Sequence, residues 1–511
     1  MLPHIAWFDE SRSGPAASAN PVPANMPVRV NAATRVARLF TLLVLAVSPV
    51  VGAKSLPPPH LPGPVAAALR RYDMSARGLS IVVRPVDGSR ALLDFNAEVP
   101  RSPASTLKLL TTLVSLEKLG PAYTWKTAAY GGGPVRSGRL EGNLYLKGYG
   151  NPDLVIEDFW RFLHGLRESG IRSIGGDLVL DRSYFAPSTS TPGEFDGHPL
   201  RPYNVLPSAL LVNFQAVRIR FFPQPQRHRV RIVADPLPDR LRIVNHVRLV
   251  SGPCLGGARG VAMREVRSRY GKQVIFSGDY AAACGQGDRY RVLSDPRDYI
   301  GGIFRGLWTE MGGHFSGHVR FGRVPPSARL LYTGQSPPLA EVIRSINKYS
   351  NNVMARQLLL TLGAKFVQTP GTIEGGDQVV RAWLSENGMS FPELIVGNGS
   401  GLSRRARISA AHLADVLVAA YNGPDMPEFF ASLPILSVDG TMKDRLDGSK
   451  LAGRAHLKTG SLDGVRGTAG IMLDSKGRRM VVVCLQNDPR ADTASGEAVQ
   501  NALLEWIYHR L

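Results

Sequence analysis

Cysteine is scarce, at three in 511 residues. No Cys or His spacing suggests a zinc site and no His-Glu-x-x-His occurs, which disfavours metal catalysis, and no cofactor is expected. Acidic residues are outnumbered, with 41 Asp and Glu against 61 Lys and Arg and a formal charge of +20. There is no internal repeat, no long low-complexity tract and no apolar run of comfortable membrane-spanning length. What remains, 44% hydrophobic and 20% charged residues, describes a globular protein. The length suggests about two to four domains with room for a substantial core.

Residues 1–53 read differently from the rest. Arg29, Arg35 and Arg38 precede the apolar run 39–47, and Val51-Gly52-Ala53 offers small residues for cleavage after Ala53, as in a secretory signal peptide. The run lies far from Met1, whereas a start at Met26 would give a signal of ordinary length. Removing the leader, with its four arginines and two acids, leaves +18. An exported protein of that charge suits anionic wall polymers, peptidoglycan carboxylates or an acidic lipid surface, and export argues against nucleic acid. Export also permits a disulfide between Cys254 and Cys284, although spacing leaves pairing and free thiols equally open. Cys484, in the apolar run 480–485, reads as an inert thiol of a buried strand.

The residues that carry chemistry begin at Ser105-Thr106-Leu107-Lys108, which opens an apolar helical pattern ended by Gly120-Pro121. A serine needs a base to become a nucleophile, and a lysine one helical turn on can lie against it. A second such tetrad, Ser345-Ile346-Asn347-Lys348, lacks that setting. Lys458-Thr459-Gly460, followed by Ser461, is the one Lys-Thr-Gly in the chain and sits among the strand-like runs 454–459, 466–473 and 479–486. Gly460 is expected to let a substrate backbone approach that edge. Ser350-Asn351-Asn352 falls at a break within the helical stretch 343–360. Alone, each is weak: an N-cap serine, a solvated strand lysine and an asparagine-rich helix cap are the plain alternatives.

Together and in this order, the three match the signature of penicillin-binding proteins and class A β-lactamases. The chain resembles the penicillin-recognising serine peptidases, and more closely the penicillin-binding protein 4 type of D-alanyl-D-alanine carboxypeptidase and endopeptidase. Gly397-Asn398-Gly399-Ser400-Gly401-Leu402-Ser403-Arg404 is similar to that family's Asp-Gly-Ser-Gly-Leu-Ser-Arg, with Asn398 in place of the acid. Gly148-Tyr149-Gly150-Asn151-Pro152-Asp153-Leu154, Tyr203-Asn204 and Val438-Asp439-Gly440-Thr441 carry further likeness. No clear Glu-x-x-Leu-Asn supplies a β-lactamase's deacylating glutamate, and Glu393-Leu394-Ile395-Val396 does not complete one.

The 242 positions between Lys108 and Ser350 exceed what one compact fold needs between facing motifs. The expected fold is therefore α+β: a β-lactamase/transpeptidase-like catalytic domain, an antiparallel sheet flanked by helices, with a large β-rich insertion. Residues 54–130 and 325–511 would form the catalytic part and 131–324 the insertion, with a nested subdomain at about 222–290. Within the insertion, Asp295-Pro296 should open a helix closed by Gly312-Gly313. The C-terminal pattern 498–511 should pack as a helix on the catalytic sheet.

The resemblance implies catalytic Ser105, Lys108 and Ser350, and substrate-binding Asn352, Lys458, Thr459 and Ser461. Its implied partners are peptidoglycan stem peptides and β-lactams. His456, on the strand face of Lys458, reads as a packed or solvent-facing histidine. A β-lactamase or esterase on the same fold, or a noncatalytic wall-binding scaffold, are the competing functions. Oligomeric state is not legible.

Overall fold

The computed structural model describes residues 60–510 other than 269 and 270. The leader, with its apolar run and cleavage position, lies outside the described residues. Among these residues no helix is long and apolar enough to cross a membrane.

Both ends of the chain build one sheet. Strands Ala455–Leu462, Val465–Leu473, Arg479–Asn487, Leu79–Pro85 and Leu93–Phe95 lie in that order, all antiparallel. The first three follow from alternation and from tight turns at Gly464 (φ 70°) and Gly477 (φ 79°), where left-handed backbone favours glycine. Alternation also divides the two faces. Val481, Val483 and Leu485 face the helices Lys108–Leu119, Leu339–Lys348, Asn352–Phe366 and Ala410–Asn422. Val482 and Cys484 face the helix Gly63–Arg71 and the last helix, Ala494–Arg510. The C-terminal helix thus packs on the sheet, as its apolar pattern suggested.

Three further sheets fill the stretch between Lys108 and Ser350. A five-stranded sheet pairs Lys126–Gly131 with Arg329–Gln335 and so reaches both flanks of the stretch. A small four-stranded sheet lies beside it, and a six-stranded sheet is built from residues 217–291. They share an apolar core with helices Ile156–Glu168 and Pro296–Glu310. The latter helix starts where Asp295 accepts a hydrogen bond from the Asp298 amide, 3.1 Å away, and its chain turns at Gly312 (φ 72°). Cys254 and Cys284, left open by the sequence, are joined as a disulfide, and Cys484 is a buried free thiol.

Candidate active site

Ser105 sits in a short 3-10 turn, Ala104–Leu107, that runs directly into helix Lys108–Leu119. Ala104 is held in the left-handed region at φ 46°, a costly conformation for a residue with a Cβ, and its neighbours explain how it persists. A methyl on Gly401 would lie 1.8 Å from the Ala104 carbonyl oxygen, and one on Gly460 would lie 2.7 Å from the Ser105 amide nitrogen. Two glycines from distant segments therefore clamp the serine turn. This sharpens the reading of Gly460: what approaches it closely is the serine's own turn.

Lys108 is fully buried, and its Nζ has three neighbours: Ser105 Oγ at 2.8 Å, Asn352 Oδ1 at 2.6 Å and the Ser400 carbonyl at 2.6 Å. The last two can only accept. A neutral amine has two hydrogens and one lone pair, so if both hydrogens go to those acceptors, the lone pair is left facing the serine hydroxyl. Burial, then the charges of Lys458 and Arg356, holds the Lys108 ammonium well below the ordinary lysine range.

Asn352 opens helix Asn352–Phe366, which Asn351 caps by accepting from the Met354 amide. Just before it, Ser350 has φ 56° and a buried Oγ with no hydrogen-bond partner among the described residues. Lys458 and Thr459 lie on strand Ala455–Leu462, the edge of the catalytic sheet, so alternate backbone groups there are unpaired by the sheet. Lys458 is fully buried, donates to the Thr459 carbonyl at 2.8 Å, and is pushed by burial down to about 7. Ser461, three residues after Lys458, is on the same strand and partly exposed.

The bonds and close approaches thus join Ser105, Lys108 and Asn352 and bring the Lys458–Ser461 strand against the serine turn. Three participants were given no role from the sequence, although the first two lie in the motifs that carry the family resemblance. The first is Ser400, whose loop Asn398 ties: Asn398 Oδ1 accepts from the Ser400 amide and hydroxyl, and Nδ2 donates to the Leu402 carbonyl. An amide does both jobs, where a carboxylate could only accept. The glycines flanking Ser400 were the available signal of close approach. The second is Thr441, whose hydroxyl lies 2.6 Å from that of Thr459. The third is Arg356, one turn beyond Asn352, buried, with one long hydrogen bond to the Val205 carbonyl (3.4 Å) and an unpaired Nε.

Two residues lie apart from this chemistry. His456 Nδ1 is 3.1 Å from the Phe430 carbonyl. Glu393 accepts from the Ser409 amide and lies 2.7 Å from His412 Nδ1.

Residues 63–509 match the family described as D-Ala-D-Ala carboxypeptidase 3 (S13). The D-alanyl-D-alanine carboxypeptidase DacB of Haemophilus influenzae is 24% identical over 407 residues, 79% of this chain and 84% of that protein. A D-alanyl-D-alanine carboxypeptidase of an Actinomadura species is 28% identical over 422 residues, covering 80% and 78%. Among solved structures, penicillin binding protein 4 (dacB) from Haemophilus influenzae is similar with a TM-score of 0.72 at 23% identity, covering 87% of this chain and 99% of that one. The same protein complexed with a novel β-lactam has a TM-score of 0.67. The α+β fold with its catalytic antiparallel sheet is thus shared.

Proposed function

Because the chain belongs to the D-Ala-D-Ala carboxypeptidase 3 (S13) family of hydrolases, we propose that it is an exported, penicillin-sensitive enzyme that trims or opens peptidoglycan stem peptides through an acyl-enzyme. Its catalytic part is the sheet built from both ends of the chain with its flanking helices, and its insertion is the three sheets between them, which take in strands Lys126–Gly131 and Arg329–Gln335 and so begin before residue 131 and end after residue 324. Neutral Lys108 takes the Ser105 proton as Oγ attacks the carbonyl of the penultimate D-alanine. The amides of Ser105 and Ser461 receive the oxyanion. Ser350, whose hydroxyl is otherwise unpaired, passes a proton to the leaving amine. The C–N bond breaks, D-alanine departs, and water hydrolyses the ester at Ser105. When the leaving amine belongs to a cross-link, the same step is endopeptidase cleavage.

Asn352 holds the substrate amide through Nδ2, since its oxygen is engaged by Lys108. Lys458 and Thr459 bind the terminal carboxylate. Penicillin acylates the same serine and leaves slowly. The observation that carries this reading is the Lys108 amine: buried, beside cations, and 2.8 Å from Ser105 Oγ.

A mass spectrum of the protein after penicillin should show one adduct, on Ser105, and Ser105→Ala should lose both the adduct and D-alanine release. Retention of either by the variant would sink the assignment.

A further inference from the structure

Half of the chain's excess charge lies in the stretch of sequence that builds the six-stranded sheet. Residues 216–291 hold 15 Lys and Arg against five Asp and Glu, an excess of ten out of twenty. Strand register decides where the side chains go. Leu241 and Val247 enter the core beside helix Pro296–Glu310, so Arg242, His246 and Arg248 on the same strand, Leu241–Val250, face outward. Across from Arg242 and Arg248 stand Gln273 and Asp279, while Arg264 pairs with Ile275 on that same face. The Arg229–Arg248 pair carries the face to the neighbouring strand, with Arg231 two residues on.

Some of this charge is answered locally. Arg218 pairs with Asp288, Arg220 with Asp235 and Arg248 with Asp279. Arg231, Arg242 and Arg264 are exposed and have no acidic partner among the described residues. Cations on neighbouring strands of one face repel, so the fold gains nothing from collecting them. A polymer with repeating anions does gain, and guanidinium forks suit carboxylates in particular.

We propose that this outer sheet face docks the peptidoglycan polymer through the free carboxylates of its stem peptides. The proposal rests on the function given above, because it makes the docked polymer the cleft's own substrate. Tethering raises the local concentration of stems at Ser105 without any contact in the cleft.

The test uses the full chain sedimented with insoluble peptidoglycan stripped of phosphate-bearing polymers. Arg231→Gln, Arg242→Gln and Arg264→Gln combined should weaken cosedimentation by about tenfold, and amidating the polymer's carboxylates should do the same to the unaltered chain. D-alanine release from a soluble pentapeptide should stay within about twofold, since these exposed side chains touch neither core nor cleft. Unchanged cosedimentation of the triple variant overturns the proposal, as does retention of the unaltered chain by phosphate polymers or anionic phospholipid vesicles alone. A parallel loss of soluble-peptide activity also overturns it, by placing the defect in the fold. Ser105→Ala separates the two readings: it should bind the polymer fully while releasing no D-alanine.

Discussion

The Ser-x-x-Lys tetrads Ser105–Lys108 and Ser345–Lys348 both end in a buried lysine, and their surroundings give them different chemistry. Lys348, one turn after Ser345, has a side chain 4% exposed and bonds both carboxylate oxygens of Asp439, at 2.8 and 2.6 Å. Burial brings the Lys348 ammonium below the ordinary lysine range and the Asp439 carboxylate opposes that shift, so this lysine has an anionic partner and ties a loop to helix Leu339–Lys348. That loop continues to Thr441, the partner of Thr459. Lys108 is as deeply buried, but its hydrogen-bond partners are a hydroxyl, an amide oxygen and a carbonyl, and the charges that perturb it are positive. Spacing brings a lysine beside a serine. Whether that lysine can act as a base depends on which groups the rest of the fold places around it.

The largest test of this contrast replaces each lysine in turn. Lys108→Met should lower acylation by penicillin about 10⁴-fold, because the nucleophile loses its base. Lys348→Met leaves Asp439 without its partner and loosens the Thr441 loop, so it should cost about 1–3 kcal/mol of stability and only a few-fold in acylation. Stopped-flow acylation with a chromogenic β-lactam and thermal unfolding measure both. Equal kinetic losses would erase the distinction.

Much of this was legible because it is short-range. Ser105 with Lys108, Ser350 with Asn352, and Lys458 with Thr459 each lie within a few residues, and a helix turn or a strand fixes their relation. The three C-terminal strands announced themselves by alternation and glycine turns. What stayed hidden acts across the chain: the Ser400 carbonyl reaches Lys108 from 292 positions away, through a backbone atom that any residue would supply. Arg356 falls in the helical stretch 343–360 with nothing local to mark it as buried, because the 202–205 segment that packs over it is distant in sequence. In the six-stranded sheet, Leu241–Val250 pairs in parallel with Gly271–Ala281, while Ala262–Ser268, which lies between them in sequence, occupies the outer edge. Local pattern does not encode that order.

The second test concerns the clamp, which the structure puts on the first tetrad. Gly401 has φ 75°, and a methyl there meets the Ala104 carbonyl at 1.8 Å. Gly401→Ala should therefore displace the serine turn and lower acylation about 10²-fold while circular dichroism stays native. Gly448→Ala is the control: its φ is 70°, but nothing lies within 4 Å of the added methyl. It should cost only about 1 kcal/mol of backbone strain and leave acylation untouched. A Gly401→Ala enzyme as fast as the control would remove the clamp from the contrast.

The smallest and sharpest test is Arg356→Met. Lys108 accepts a proton only when neutral, so acylation should rise with pH as Lys108 loses its own proton. Arg356, like Lys458, disfavours the Lys108 ammonium, and burial itself brings the guanidinium down to about 10. Removing that charge raises the Lys108 pKa, so the acid limb of the profile moves to higher pH. Acylation should fall about threefold on that limb and converge with the unaltered enzyme at high pH. Arg356→Lys, which keeps a cation, should hold the limb near its original place. A purely structural role would instead lower the rate equally at every pH. Stability gives an independent check: Arg356 is buried with its Nε unpaired, so a methionine of similar length relieves desolvation and should leave the melting temperature unchanged or raised. A more stable enzyme that fails only at the acid end would identify Arg356 as a residue whose burial cost buys a neutral Lys108.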